Sequence, residues 1–299
     1  MNSIPTIKNF LLDLQNRLCL ALENQDASTQ FQKDKWAHHE IDGLSCVLEN
    51  GKILEKAGVN FSHVLGKKLP PAATTKRPDL VGASFEVLGV SSVIHPKNPF
   101  IPTAHLNVRY FQAKKADGEI VWWFGGGYDL TPYYGFDEDC IHFHRTAKKA
   151  CDAIHPDFYS RFKKNADDYF YIPHRQEHRG IGGLFFDDLN ELSFEDCFSF
   201  LQNVGNSFID AYIPIIAKRK THAYEQKHRD FQSYRRGRYV EFNLVYDRGT
   251  LFGLQMNGRT ESILMSLPPL VKWQYNHSPE KNSLEEKLTH YFLKPKEWV

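Results

Sequence analysis

Between Ser91 and Arg109 the pattern predicts two neighbouring β-strands, and two imidazoles, an amide, a hydroxyl and a guanidinium fall on the same sides of them. Because side chains alternate sides along a strand, Ser91 and His95 share one face of the first strand. His105, Asn107 and Arg109 likewise share one face of the second strand. A guanidinium can grip a carboxylate or phosphate with two hydrogen bonds, and histidine titrates or binds metals near neutral pH. We therefore predict the floor of a pocket for an acidic ligand.

Two further histidines extend this set. On a predicted helix, His144 shares a face with apolar and thiol side chains, so the helical spacing turns it inward. His174 precedes an arginine at a predicted strand or loop end. With His95 and His105 they would supply four imidazoles, a set that suits a divalent ion. The spacing leaves two other interpretations open: a core histidine held by hydrogen bonds, and proton transfer without a metal.

A run of three glycines, residues 125–127, follows a bulky strand and comes shortly before Asp129. Glycines let a ligand or another backbone approach closely, or they form an unusual turn. Asp129 is then either a general base or the cap of an Asx-type turn, since aspartate readily bonds to nearby backbone N–H groups.

The segment 234–250 alternates apolar and polar side chains. Period two is typical of a strand, so we predict strands near 238–246 and 250–256, with a turn at 247–250 and a bend at 257–259. Five arginines would then lie on loops of a nearly neutral chain: Arg235, Arg236, Arg238, Arg248 and Arg259. They form either surface ion pairs of little energetic weight or clamps for carboxylates.

Composition narrows the classes of function. The 299 residues are 41% hydrophobic and 24% charged, with a formal net charge of +1, so we expect a folded core and no general attraction to nucleic acid or anionic membranes. The five cysteines are scattered without C-x-x-C spacing, as is typical of free thiols in a reducing compartment. No signal-peptide pattern and no run of membrane-spanning length is found. We expect a cytoplasmic protein without integral membrane association.

Hydrophobic periodicity predicts helices near 5–24, 137–152, 156–168, 193–219, 222–234 and 283–291. Further strands are predicted near 58–64, 84–95, 103–113, 119–126 and 180–186, and a hairpin turn at Asn50 and Gly51. Strands cluster in the first half and do not alternate regularly with helices, which favours an α+β fold with a mainly antiparallel sheet. No linker or repeat interrupts the chain, so residues 1–299 are expected to form a single domain.

Several long motifs, spread over nearly the whole chain, resemble the oxygen-dependent coproporphyrinogen-III oxidases of bacterial haem biosynthesis. These motifs occupy 57–60 (AGVN), 89–96 (GVSSVIHP), 122–127 (WWFGGG), 142–146 (HFHRT), 179–183 (RGIGG), 235–253 and 259–266 (RTESILMS). The resemblance implies oxidative decarboxylation of two propionates of coproporphyrinogen III to vinyl groups, which gives protoporphyrinogen IX. Molecular oxygen is the implied oxidant, and no flavin, haem or nicotinamide is expected. A divalent metal, with manganese as first candidate, is the implied cofactor.

The resemblance also assigns expected roles by position. His105 matches a proton donor, and Asp129, Asp247 and Arg248 match residues that hold or deprotonate the pyrrole and the propionate. The expected substrate-binding positions are Ser91, Asn107, Val108, Arg109, Asn257, Gly258 and Arg259. The expected metal ligands are His95, His105, His144 and His174.

The same resemblance implies a large, flat sheet with helices on both faces, in a homodimer whose dimerisation segment is 239–274. Two alternatives remain open at this point. One is a metal-dependent oxygenase or hydrolase acting on another acidic small molecule. The other is a non-catalytic tetrapyrrole carrier, which would bind the macrocycle without consuming oxygen.

Overall fold

The computed structural model describes residues 4–38, 40–69 and 77–299. Its strands are β1 Gln32–His38, β2 Ile41–Glu49, β3 Leu54–Gly66, β4 Ser84–Pro96, β5 Thr103–Lys114, β6 Ile120–Thr131, β7 Tyr171–Ile172, β8 Glu177–His178 and β9 Gly183–Leu189. Seven of them form one antiparallel sheet, in which β1 to β6 follow chain order and β9 pairs with β6. β7 and β8 form a separate two-stranded ribbon.

The helices are α1 Ile4–Asp26, α2 Asp137–Asp152, α3 Phe158–Tyr169, α4 Phe194–Arg219, α5 Gln226–Val245, α6 Arg248–Gln255, α7 Thr260–Leu264 and α8 Leu284–Lys287. None of the helices in the described ranges combines the length and the apolar character that a membrane span requires. Together with the sheet they confirm the predicted α+β class, in a single domain.

One face of the sheet is apolar and forms the main core. Leu106, Val108 and Tyr128 lie on this face without measurable exposure. The face packs against α1 and α4, and α1 buries Leu11 and Leu18 at the helical spacing that predicted it. Each apolar side chain of this size contributes about 1.5–3 kcal/mol when it leaves water. This face therefore supplies much of the free energy of folding.

The opposite face of the sheet carries polar and small residues at its centre and a second apolar cluster, which includes Phe85, Phe111 and Trp123, beside them. We call it the polar face after its centre. The chain after α5 crosses it. The Ser262 hydroxyl lies 2.9 Å from that of Ser45, and His95 Nε2 donates to the Ser266 carbonyl at 2.8 Å. Helices therefore lie on both sides of the sheet.

The predicted strands near 238–246 and 250–256 are wrong, because this region is helical. The predicted turn at 247–250 is the junction of α5 and α6, where Asp247 caps α6 by accepting the Thr250 N–H. Burial explains the misleading pattern: α5 is buried around most of its circumference between 231 and 243. Fully buried Arg236, for example, is paired with Glu55 at 2.7 Å. In such a helix polar residues are no longer restricted to an exposed face, so a period-two pattern arises without a strand.

Most other predicted elements are confirmed with shifted ends. The predicted helix near 222–234 begins later and runs to Val245, and β3 to β6 are longer than predicted. Asn50 has a φ of +61° in the connection from β2 to β3, although four residues rather than two separate the strands. The prediction missed β1, an exposed edge strand in which Lys33, Asp34 and Lys35 are charged. Charges of this kind protect a sheet edge from pairing with another chain.

Candidate active site

The centre of the polar face is formed by β4, β5 and β6. The register pairs Ser91 with Asn107 and places His105 opposite Asp129. As the alternation predicted, His105, Asn107 and Arg109 share this face, and all three are partly exposed. Val108 does not belong to it: its side chain lies in the apolar core and cannot contact a ligand on the polar face.

The guanidinium of Arg109 lies against the backbone of Gly125. A Cβ built at that glycine would come within 2.8 Å of Arg109 Nη2, so a side chain there would displace the arginine. The glycine run is thus part of β6, where it makes room for a neighbouring side chain and neighbouring backbone, rather than a turn. Arg109 Nη1 donates to Asn107 Oδ1 at 2.7 Å, and Nη2 donates to Asp187 Oδ1 at 2.7 Å.

A chain of three charged or titratable groups runs from the polar face into the protein. His105 Nδ1 lies 2.9 Å from Asp129 Oδ1, and Arg179 Nη2 donates to both oxygens of that carboxylate at 2.8 and 2.9 Å. Arg179 is itself buried, and its guanidinium lies over the rings of Phe170, Tyr239 and Phe242 at 4.3 to 4.7 Å. Cation–π contacts of this kind stabilise a desolvated guanidinium.

Asp129 remains ionised in this arrangement. Burial raises the pKa of its carboxyl, but the charge of Arg179 and the hydrogen bonds from His105 and Arg179 outweigh burial, so the pKa is lowered from its ordinary value. A carboxylate accepts but does not donate, so His105 carries its proton on Nδ1. Nε2 of the neutral ring is then the atom free to exchange a proton with a ligand.

Asp247 and Arg248 lie at the start of α6, beside the end of β9. Both oxygens of Asp247 are engaged: Oδ2 accepts from Thr250 at 2.8 Å and Oδ1 accepts from the Tyr169 hydroxyl at 2.9 Å. Arg248 Nη1 lies 3.5 Å from Asp187 Oδ2. The structure therefore places Asp247 as a helix cap and brings Arg248 to the same carboxylate that Arg109 binds.

The four histidines expected to bind a metal are not brought together. Both ring nitrogens of His95 are in hydrogen bonds with Thr103 and Ser266, and both of His144 with Tyr159 and Ile181. His174 bonds to Tyr246 and Glu241 in the same way.

In the ranges 4–38, 40–69 and 77–299, no group of three or more His, Cys, Asp or Glu side chains is placed to hold a metal ion. A metal ligand needs a free nitrogen lone pair. The expected site therefore does not fit the residues as placed.

The bend at 257–259 reaches the far edge of the sheet. Asn257 has a φ of +51°, and Gly258 N donates to the Gly253 carbonyl at 2.8 Å. Arg259 pairs with Asp34 of β1 at 2.5 Å. β1 lies four strands from β5, roughly 19 Å at about 4.8 Å per strand. Arg259, one of the expected substrate-binding residues, thus contacts the edge of the sheet and not the strand of Arg109.

The prediction that five arginines lie on loops is wrong for four of them, since Arg248 is the first residue of α6 and three others belong to α5. Arg235, Arg236 and Arg238 are buried in α5, where Arg235 pairs with Glu177 at 3.0 Å. The sequence reasoning also missed Arg179 and Asp187, both of which contact predicted site residues. Arg179 opens the motif at 179–183, whose glycine run received little weight because it lacked the context of a phosphate loop.

The α+β fold thus places a partly exposed group of cationic and titratable side chains on one face of its sheet. The coproporphyrinogen III oxidase family matches residues 6–298, so the chain belongs to that family. Membership supports an oxidoreductase of porphyrin biosynthesis that acts on coproporphyrinogen.

Proposed function

We propose that the protein is the oxygen-dependent type of coproporphyrinogen III oxidase. Each turnover removes a propionate carboxylate as carbon dioxide, while the β-hydrogen leaves with both C–H electrons and is taken up by dioxygen. One proton from solvent completes hydrogen peroxide, and the side arm becomes a vinyl group. Two such turnovers convert coproporphyrinogen III into protoporphyrinogen IX.

The observation that carries this proposal is the chain His105–Asp129–Arg179 beside Arg109 on the polar face. Dioxygen reacts poorly with closed-shell carbon, so the pyrrole must be made electron-rich. His105 Nε2 accepts the pyrrole N–H proton and returns it once the vinyl group has formed. Asp129 orients the ring and stabilises its protonated form, as the aspartate of a catalytic triad does. Arg109 and Arg248 bind propionate carboxylates.

The placement of the cysteines supports dioxygen as the oxidant. Without oxygen the oxidation needs another electron acceptor, such as an iron–sulfur cluster. Such a cluster is held by several cysteine thiolates that lie close together. All five cysteines are free and buried in the core: Cys19, Cys46, Cys140, Cys151 and Cys197. The pKa of Cys140 and Cys151 is raised, with burial as the first cause, so their thiols stay protonated and are poor cluster ligands.

We further propose that the active form is a homodimer built on 239–274. The exposed apolar side chains in this segment support an interface there: Leu244, Val245, Leu251, Leu254, Leu270 and Trp273. Light scattering or sedimentation would test this state, and an Asp substitution at Val245, which is 55% exposed, should favour the monomer.

The function is tested by incubating the enzyme with coproporphyrinogen III with and without oxygen. We expect one dioxygen consumed and one carbon dioxide released for each vinyl group, and no product under strict anaerobiosis. Binding without oxygen uptake would indicate a carrier. Vinyl formation without oxygen would assign the oxygen-independent type instead.

A further inference from the structure

Asp187, in β9, bridges the two arginines that the proposed function assigns to substrate carboxylates. Oδ1 accepts from Arg109 Nη2 at 2.7 Å, and Oδ2 lies 3.5 Å from Arg248 Nη1. The side chains of Asp187 and Arg109 are each 28% exposed, and that of Arg248 is 48% exposed. A carboxylate of the protein thus stands, in reach of solvent, where a ligand carboxylate would be expected.

Both terminal nitrogens of Arg109 already donate to side chains of the protein. A bidentate grip uses two neighbouring N–H groups of the guanidinium. Nη1 already donates to Asn107 and Nη2 to Asp187, while Gly125 backs the guanidinium. A propionate that takes the position of Asp187 at Nη2 must displace that carboxylate, because the two compete for the same N–H group.

Asp187 is charged when it makes this bridge. Burial raises the pKa of its carboxyl, but the charge of Arg109 and its hydrogen bond outweigh burial, so the pKa lies below the ordinary value. The neighbouring Asp188 is exposed and forms no ion pair with either arginine. The bridge is therefore a property of Asp187 and not of the acidic pair.

We propose that Asp187 is a specificity-determining residue: a built-in carboxylate that occupies the Arg109–Arg248 clamp until a substrate propionate replaces it. A monocarboxylate that enters the clamp only replaces the carboxylate of Asp187 by its own, so it gains little binding free energy. A ligand must supply further contacts to displace Asp187, as a tetracarboxylate macrocycle does. This inference rests on the proposed function.

The test uses coproporphyrin III, the oxidised macrocycle that cannot turn over, in a fluorescence-quenching titration. Asp187→Asn removes the charge with almost no change of shape and should lower the dissociation constant about tenfold, as expected when a charged competitor is lost. Asp188→Asn removes one negative charge from the same strand and should change it less than twofold. Asparagine tolerates the positive φ of +53° at that position.

A second measurement separates the clamp from a general charge effect. The inhibition constant of free propionate, corrected for the coproporphyrin dissociation constant of each protein, should be lower for Asp187→Asn than for wild type, and Asp187→Ala should behave in the same way. Thermal unfolding of each variant shows whether the fold is kept.

If the wild type binds coproporphyrin and neither Asp187 variant binds it more tightly, this inference is wrong, whereas the proposed function is unaffected. An equal gain in Asp188→Asn also overturns it, because the effect would then be one of net charge. If no variant and no wild-type protein binds coproporphyrin, the proposed function fails and this inference falls with it.

Discussion

Two buried aspartate–arginine pairs in this protein have the same chemistry but different surroundings. Asp129 pairs with Arg179, and Asp139 pairs with Arg219, in each case with a contact of 2.8 Å. Both arginines lie over aromatic rings, Arg219 over Phe136 at 3.6 Å. Asp139 belongs to α2, away from the polar face, and its arginine also pairs with Glu138.

Of the two aspartates, only Asp129 is hydrogen-bonded to a histidine that a ligand can reach. His105 is 21% exposed at the polar face. A buried ion pair is thus not by itself a sign of chemistry, since Asp139–Arg219 fastens α2 to α4. The connection to an accessible titratable group distinguishes the pair that we propose for catalysis from the one that joins two helices.

We expect the largest difference between the two pairs in kcat, when the aspartate of each pair is replaced by asparagine. In Asp129→Asn the amide no longer stabilises a protonated His105, so kcat should fall by about 10²- to 10⁴-fold. Asp139→Asn should leave kcat within about threefold of wild type. Steady-state oxygen uptake with coproporphyrinogen III measures both. Near wild-type kcat in Asp129→Asn, or equal losses in the two variants, would contradict the assignment.

Removing the arginines should affect stability in both pairs but catalysis in only one. Arg179→Met and Arg219→Met each leave a buried carboxylate without its partner, which should lower the free energy of unfolding by about 3–5 kcal/mol. Urea denaturation measures this loss. Turnover per folded molecule should fall only for Arg179→Met. The double variant Asp129→Asn/Arg179→Met should recover part of the stability and none of the activity.

His144 extends the comparison to histidines, because it is buried with both ring nitrogens bonded. Burial lowers its pKa from 6.5 to about 4. The folded protein therefore holds the neutral ring while the unfolded chain takes up a proton below about pH 6.5. The free energy of unfolding should fall by roughly 3 kcal/mol as the pH drops from 6.5 towards 4.

His144→Gln should flatten that part of the pH dependence, whereas His142→Gln, on the outer side of α2, should keep the wild-type slope. Denaturant midpoints measured between pH 4 and 7 supply the comparison. An unchanged slope in His144→Gln would show that another group, such as buried His95, dominates the acid response.

Metal removal should have the smallest effect. Since three of the four expected histidine ligands use both ring nitrogens within the protein, enzyme treated with a chelator should keep its activity. Elemental analysis of the same sample must show less than one-tenth of an equivalent of metal. Loss of turnover that manganese restores would mean that the histidines rearrange to bind it.

The sequence was a good guide wherever one side of an element faces the core. Alternation in β4 and β5 correctly placed His105 and Arg109 on one face, and helical spacing correctly turned His144 inward. The strand predicted in place of α5 was wrong, because buried arginines with carboxylate partners make the inner side of this helix as polar as its outer side. The sequence reasoning also missed Arg179 and Asp187, because their roles depend on contacts 50 and 78 residues away along the chain.

The buried arginines of α5 have a mechanical consequence. Arg236 and Arg229 tie the helix to Glu55 of β3, and Arg235 ties it to the ribbon at Glu177. Swinging the helix away would expose several desolvated charges at once, each worth several kcal/mol. α6, by contrast, buries only Thr250. We therefore expect any local opening over the polar face to begin at α6, which has few buried side chains, and not at α5.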